Sequence, residues 1–94
     1  MKKWGEQYPD AAVALTAWLS NASRASWRSL SDVRRVYPHA DAVVVESART
    51  VVVFNIRGNR YRLITAIHYN RQVIYTLRFM THAEYSKDRW KDSL

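Results

Sequence analysis

Two side chains near the C-terminal end, His82 and Tyr85, have types and a spacing that could move protons. Residues three apart lie on one face of a helix, and imidazole and phenol groups both serve as general acids and bases. Arg60 and Arg62 could hold a phosphate and stabilise its developing charge. These four side chains suit cleavage of RNA by its own 2′-hydroxyl. The spacing alone also allows a structural role, in which His82 caps a helix and Tyr85 packs.

Positive charge is concentrated in one part of the chain. The formal net charge is +7, and no Asp or Glu occurs between Ser47 and Ala83. The arginines of this stretch, which has no lysine, are Arg49, Arg57, Arg60, Arg62, Arg71 and Arg78. Arginine binds phosphate through a planar pair of donors, so the pattern predicts an anionic partner, foremost nucleic acid. The further arginines predicted to contact RNA are Arg57, Arg71 and Arg78.

Length and composition limit the other possibilities. A chain of 94 residues can bury one modest core, so residues 1–94 are predicted to form a single domain. The absence of cysteine excludes disulfides and thiolate metal sites. The histidines have no ligand-spaced partners, so we expect no metal and no cofactor. No apolar run approaches the roughly 18 residues of a membrane span, and a signal peptide is lacking. A cytoplasmic protein without membrane contact is therefore expected.

Helical periodicity marks the first part of the chain. Apolar residues recur at helical spacing between residues 9 and 23, which predicts an amphipathic helix. Ser29 is suited to cap a second, short helix, which Pro38 should end. The residues predicted to face the core from these two helices are Ala11, Leu15, Trp18, Leu19, Val33, Val36 and Tyr37.

Extended segments follow the helices. They are rich in β-branched residues and lie at residues 41–46, 50–56, 60–69 and 73–80. Tight turns join them, including Arg57-Gly58-Asn59, whose residues tolerate positive φ. The order predicts an α+β fold in which two N-terminal helices pack on an antiparallel β-meander, with a short C-terminal helix.

The last strand and the C-terminal helix carry specific expectations. Alternation in the strand places Leu77 and Phe79 on one face of the sheet, opposite Ile74 and Met80. The C-terminal helix is predicted to begin with a capping box formed by Thr81 and Glu84. His82 would then lie near Arg78 and near the neighbouring strand that carries Arg60 and Arg62.

Two motifs and their order go beyond composition. Residues 53–63 read Val-Phe-Asn-Ile-Arg-Gly-Asn-Arg-Tyr-Arg-Leu, and residues 81–85 read Thr-His-Ala-Glu-Tyr. With the helical half, they resemble the HigB-type toxins of bacterial type II toxin–antitoxin systems, in the RelE/ParE-like superfamily. The matching segments of the helical half are residues 6–11, 17–18, 27 and 36–41. The resemblance covers nearly the whole chain.

The resemblance implies an endoribonuclease, an mRNA interferase that inhibits translation by cutting mRNA, usually on the ribosome. It also implies a HigA-type helix-turn-helix antitoxin as partner, with operator DNA bound only through the toxin–antitoxin complex. We therefore expect Arg60 and Arg62 to hold phosphate while His82 and Tyr85 share the proton transfers. The residues that match the family motifs are Asn59, Arg60, Arg62, His82, Glu84 and Tyr85.

The chain departs from the family pattern in two places. Family members begin with a strand before the position of Trp4, and this chain starts with Met1 close to that position. Either the start codon is assigned too late or the family's first strand is missing, and a missing strand would expose a sheet edge. The family often has Asp after the Glu-Tyr pair, where this chain has Ser86. If that carboxylate orients its neighbours, this chain is expected to be slower.

Two other functions stay open. A ParE-like toxin would inhibit a protein target such as gyrase, and a non-catalytic RNA or ribosome binder would need only the positive charge. The pair of His82 and Tyr85 favours RNA chemistry, because a protein inhibitor needs neither group.

Overall fold

The computed structural model describes residues 2–94, apart from the side chains of Lys2, Lys3 and Ser93, and it confirms the α+β fold. The helices are α1 (Lys2–Gln7), α2 (Ala12–Arg24), α3 (Leu30–Val36) and α4 (His82–Ser86), with 3₁₀ turns at Pro9–Ala11 and Arg89–Ser93. The strands are β1 (Asp41–Val44), β2 (Thr50–Ile56), β3 (Tyr61–His68) and β4 (Val73–Thr81). They form an antiparallel sheet in the order β1-β2-β3-β4. Within residues 2–94, no helix has the length and hydropathy to cross a membrane.

One core lies between the sheet and helices α2 and α3. Phe54 of β2 is fully buried, and its ring lies edge-on to Trp18 of α2, with 5.2 Å between the ring centroids. Phe54 also stacks on Trp27, in the loop between α2 and α3. Because several large aromatic rings meet at one strand position, this contact sets how the helices lie on the sheet.

Two of the predicted core residues face solvent. Leu19 is 48% exposed and Val36 is 52% exposed, whereas Trp18 and Val33 are buried. Each residue along a helix turns by about 100°, so Leu19 lies at the rim of the stripe defined by Leu15 and Trp18. The prediction was wrong for Leu19 and Val36 because spacing alone does not fix the width of the buried stripe.

A second core covers the opposite face of the sheet. The 3₁₀ turn Arg89–Ser93, which we call the C-terminal turn, packs there. The cluster consists of Val45, Val51, Val53, Ile64, Met80 and Trp90. The backbone N–H of Glu46 donates to Lys91 O at 3.2 Å, and Ser47 Oγ donates to Leu94 O at 2.6 Å. The end of the chain is thereby joined to the turn after β1.

A β-bulge divides the last strand between the two cores. Ile64 pairs with Arg78, but the next residue, Thr65, pairs with Thr76, which leaves Leu77 as an extra residue in β4. An extra residue reverses the alternation of faces beyond it. Phe79 accordingly joins Ile74 in the helix-side core, while Leu77 and Met80 belong to the second core. The predicted alternation was wrong here because no glycine or proline marks the position of the bulge within Val73–Thr81.

The turn between β2 and β3 adopts left-handed backbone at its start. Arg57 has φ of 54° and Gly58 has φ of 66°. Glycine adopts this conformation without steric cost, and the Arg57 side chain is held by an ion pair to Asp10. The predicted tight turn is confirmed, and an arginine takes one of its left-handed positions.

Candidate active site

Strand pairing brings helix α4 to the beginning of β3. Tyr61 pairs with Thr81, and Arg62 pairs with Met80. The backbone N–H of His82 donates to Arg60 O at 2.8 Å. Helix α4 therefore starts where the arginine-bearing strand starts, so the predicted proximity of His82 to Arg60 is confirmed at the backbone.

Thr81 caps the first turn of α4, as the sequence predicts, and bonds to the Glu84 side chain through its hydroxyl. Thr81 Oγ1 accepts a hydrogen bond from the backbone N–H of Glu84 at 3.2 Å and donates to Glu84 Oε1 at 3.2 Å. Ser86 Oγ donates to His82 O at 2.9 Å. Tyr8, which follows α1, also donates to Glu84 Oε1, at 3.5 Å. Burial, and secondly Glu84, raises the pKa of the Tyr8 phenol. These bonds orient α4, whose His82 side chain faces solvent.

Arg62 lies beneath the surface and is held by the preceding turn. Its side chain is among the buried charged groups, at 8% exposure. One guanidinium nitrogen donates to Asn59 O and Tyr61 O, at 3.3 and 3.1 Å. The other donates to Asn59 Oδ1 at 2.5 Å. The guanidinium carbon is 5.5 Å from the centre of the Tyr85 ring, within the range of a cation–π contact. The guanidinium of Arg62, which is fixed by these hydrogen bonds, thus contacts the Tyr85 ring.

The Tyr85 ring contacts both Arg62 and Trp90. The Tyr85 and Trp90 rings stack with 5.3 Å between centroids and an interplanar angle of 18°. Burial raises the pKa of the Tyr85 phenol, with a further increase from Asp41, and the Lys91 and Arg62 cations oppose this rise. Tyr85 therefore carries its proton at neutral pH and is suited to donate it.

The carboxylate of Asp10 interacts with three donor groups at the edge of the site. It accepts from Arg57 Nη1 at 2.6 Å and from the Tyr61 hydroxyl at 2.7 Å. Arg60 Nη1 is 3.8 Å from the same carboxylate, and 67% of the Arg60 side chain is exposed. The Tyr61 hydrogen bond is the largest influence lowering the pKa of Asp10, and the same bond raises the pKa of Tyr61. Arg57 and Arg60 are thus oriented beside the start of α4.

The structure brings together only some of the predicted residues. Asn59, Arg62 and Tyr85 form one contact chain, whereas Arg60 turns towards Asp10. Arg78 is exposed, and its pairing with Ile64 places it on the same sheet face as Arg62. Arg71 lies in the turn at the other end of the β3–β4 hairpin, away from α4.

Several residues at the site were not singled out from the sequence as site residues. They are Tyr8, Asp10, Tyr61 and Trp90. Tyr8 and Asp10 fall within residues 6–11, one of the segments that carry the family resemblance, which was the available signal. Helical spacing does not link Trp90 to Tyr85. Trp90 lies five positions after Tyr85, and the break between α4 and the C-terminal turn falls between them.

Replacing Asp10 with Asn should change how stability depends on pH. The pKa of Asp10 is lowered in the folded state, so its contribution is fully present above the unfolded carboxyl pKa of about 4 and is lost as pH falls through the folded value. The stability difference between the parent protein and Asp10→Asn should therefore be largest near neutral pH and shrink in acid, as measured by urea unfolding. The control is Asp41→Asn, because Asp41 forms an exposed ion pair with Arg34 at 3.5 Å. A pH-independent difference would contradict a role for the Asp10 charge.

Among residues 2–94, no three His, Cys, Asp or Glu side chains form a cluster that could hold a metal ion. The candidate site is built instead from arginine, histidine and tyrosine at the junction of β3, β4 and α4. Those groups can bind an anion and transfer protons.

Comparison with known proteins identifies the family of the chain. A protein of Escherichia coli K12, named mRNA interferase toxin HigB, is 26% identical over 85 residues, which cover 90% of this chain and 80% of that protein. Proteins named mRNA interferase HigB from Escherichia coli O157:H7 and Shigella flexneri are similar to the same extent. The family model of HigB toxins, described as the RelE-like toxic component of a toxin–antitoxin system, matches residues 11–88. The resemblance noted in the sequence is confirmed, and the chain belongs to the HigB family of RelE-like toxins, whose members act with an antitoxin partner.

Proposed function

We propose that this chain is an endoribonuclease, an mRNA interferase that inhibits translation by cleaving mRNA. The observation that carries the proposal is the junction at which the backbone of His82 is bonded to that of Arg60 and the Tyr85 ring lies over Arg62. The segments that carry the proton-transfer groups and the cations are therefore neighbours in the fold, which supports the proposal. The names of the curated relatives, mRNA interferases of the same family, support the same chemistry.

In the proposed reaction, the RNA 2′-oxygen attacks the adjacent phosphorus as it loses its proton. The bond from phosphorus to the 5′-oxygen breaks, and that oxygen takes up a proton, which leaves a 2′,3′-cyclic phosphate and a free 5′-hydroxyl. We assign proton removal to the exposed His82 and proton donation to Tyr85, whose phenol is protonated at neutral pH. No metal or cofactor is needed for these steps.

In this proposal, Arg60 contacts the phosphate and Arg62 positions Tyr85. The Arg60 side chain is more exposed than those of Arg57 and Arg62, so we assign it the contact with the scissile phosphate. Arg62 is buried and bonded to Asn59, so we assign it the placement of Tyr85. The sequence suggested phosphate contact for both. Arg57, Asn59, Arg71 and Arg78 would follow the flanking RNA backbone.

The partners follow from the same proposal. The substrate would be mRNA, bound on the ribosome in the cytoplasm, and the antitoxin would be a HigA-type helix-turn-helix protein. Operator DNA would be bound through the toxin–antitoxin complex, because the helix-turn-helix protein supplies the recognition helix that contacts DNA.

Mapping of mRNA 5′ ends after controlled expression tests the proposal. Discrete new ends should appear inside coding regions, disappear with His82→Ala and become fewer with Arg62→Ala. Coexpression of the cognate antitoxin should suppress them. Growth arrest with intact mRNA but relaxed or broken DNA would instead indicate a ParE-like protein target. Ribosome binding with neither arrest nor new ends would indicate a non-catalytic binder.

Binding of RNA should weaken steeply as salt rises, because arginines that neutralise phosphates release counterions. Removing one phosphate contact with Arg60→Ala should reduce the slope of log affinity against log salt by about 0.7 for single-stranded RNA. Titration of a 2′-methoxy RNA, which cannot react, measures this slope. Arg35→Ala is the matched control, since that side chain is 82% exposed and distant in sequence from the junction. An unchanged slope in Arg60→Ala would show that Arg60 does not contact a phosphate.

A further inference from the structure

Trp90 lies in the C-terminal turn, beyond residues 11–88 that match the family model. The family match therefore gives it no role. Its indole nevertheless touches Tyr85, the residue to which the proposed function assigns proton donation. This contact links a segment outside the matched region to the candidate reacting group.

Two contacts join Trp90 to Tyr85. The rings stack with 5.3 Å between centroids at 18°, and the indole Nε1–H donates to the backbone oxygen of Tyr85 at 3.1 Å. The Tyr85 ring also has the Arg62 guanidinium carbon 5.5 Å from its centre. Trp90 thus contacts both the side chain and the backbone of Tyr85, and the phenol ring contacts a cation as well as an indole.

Trp90 is itself firmly placed. It is 6% exposed and belongs to the second core with Val51, Ile64 and Met80. The following residue, Lys91, accepts a backbone hydrogen bond from Glu46 at 3.2 Å. Packing and backbone bonding therefore fix the indole relative to the sheet that also carries Arg62.

Helix α4 alone is a weak support for a reacting side chain. It has five residues, and a helix this short gains little from its own hydrogen bonds. Small displacements of a reacting group are costly in catalysis. The buried Trp90 ring stacked on Tyr85 further restricts the position of the Tyr85 ring. We infer that Trp90 is a positioning residue that holds the Tyr85 ring over Arg62 for proton transfer, an inference that rests on the proposed function.

Two substitutions separate ring stacking from simple filling of space. Trp90→Leu keeps an apolar side chain without a ring, and we expect kcat for RNA cleavage to fall about 30-fold while KM stays within about twofold. Trp90→Phe keeps a ring, and its kcat should stay within about threefold of the parent value. If Trp90→Leu does not fold, Trp90→Met fills the same space flexibly without a ring and takes its place.

The matched control is Val45→Ala, which removes packing from the same cluster. All rates are compared at a temperature where each variant is fully folded. Equal losses of kcat in Val45→Ala and Trp90→Leu would overturn the inference, because general loosening of the second core would then explain both. In a Tyr85→Phe background, Trp90→Leu should have no further effect on kcat. A full additional loss there would likewise overturn it.

Proton NMR gives a readout that does not need cleavage. Nuclear Overhauser contacts between the Tyr85 ring and the Arg62 side chain should be present in the parent protein and in Trp90→Phe, and absent in Trp90→Leu. Their persistence in Trp90→Leu would overturn the positioning role even if the parent protein cleaves RNA. Failure of the parent protein to cleave RNA would refute the proposed function instead, and the NMR contacts would then decide whether Trp90 places Tyr85.

Discussion

Replacing Tyr85 with phenylalanine is expected to lower the rate constant of RNA cleavage by about a hundredfold to ten-thousandfold, the usual contribution of a positioned general acid. The substitution removes only the hydroxyl, so the ring keeps its contacts with Arg62 and Trp90. The free energy of unfolding should therefore change by less than about 0.5 kcal/mol. Single-turnover cleavage and urea unfolding of the same preparation measure the two effects.

The pH profile provides a second reading of Tyr85. Its raised pKa keeps the phenol protonated as pH rises, so the proton donor is present below that pKa and is lost above it. The parent protein should show a fall in rate at alkaline pH that Tyr85→Phe lacks. Tyr75→Phe, at a 52% exposed position on β4, is the matched control and should keep the parent rate. Full activity in Tyr85→Phe would reduce Tyr85 to a packing residue and leave proton donation unassigned.

Removal of the Arg62 guanidinium should weaken both cleavage and stability. Arg62→Ala leaves Asn59 and Tyr61 without their buried donors, which should cost about 3 kcal/mol in the free energy of unfolding. The Tyr85 ring also loses the cation beneath it, so cleavage should fall about a hundredfold or more. Chemical unfolding gives the first quantity, and single-turnover cleavage under fully folding conditions gives the second.

Lysine at position 62 distinguishes charge from geometry. Arg62→Lys keeps the positive charge but cannot reproduce the fork of bonds to Asn59. We expect its cleavage rate to lie near that of Arg62→Ala if placement of Tyr85 is the main role of Arg62. A rate near that of the parent protein would show that charge alone suffices. Arg35→Ala, at a side chain that is 82% exposed, should leave both stability and cleavage unchanged.

Local patterns predicted most of the secondary structure. Strand β2 spans Thr50–Ile56 as expected from its β-branched run, and α3 ends before Tyr37 because Pro38 cannot follow a helical residue easily. The hydroxyl of Thr81 caps α4 and also bonds to the Glu84 side chain, as the spacing of the two residues indicates. These features depend on neighbours within a few residues, which is why the sequence is sufficient to identify them.

Other features depend on contacts between distant segments. The bulge at Leu77 decides that Phe79 faces the helices, which strict alternation does not indicate. Asp10 meets Arg57 and Tyr61 across the fold. Such pairings are set by how the helices lie on the sheet, and residue spacing carries no information about them.

The amino-acid sequence by itself determined the α+β class, the concentration of arginine without nearby carboxylates, and the order of the motifs that mark a HigB-type toxin. Only the tertiary structure decided how the arginines differ: Arg60 is exposed beside Asp10, whereas Arg62 is buried beneath Tyr85. It also decided that Trp90 closes over the same ring. The physical reason is that residue type fixes which charges and rings are available, while burial and orientation arise only when β3, α4 and the C-terminal turn pack together.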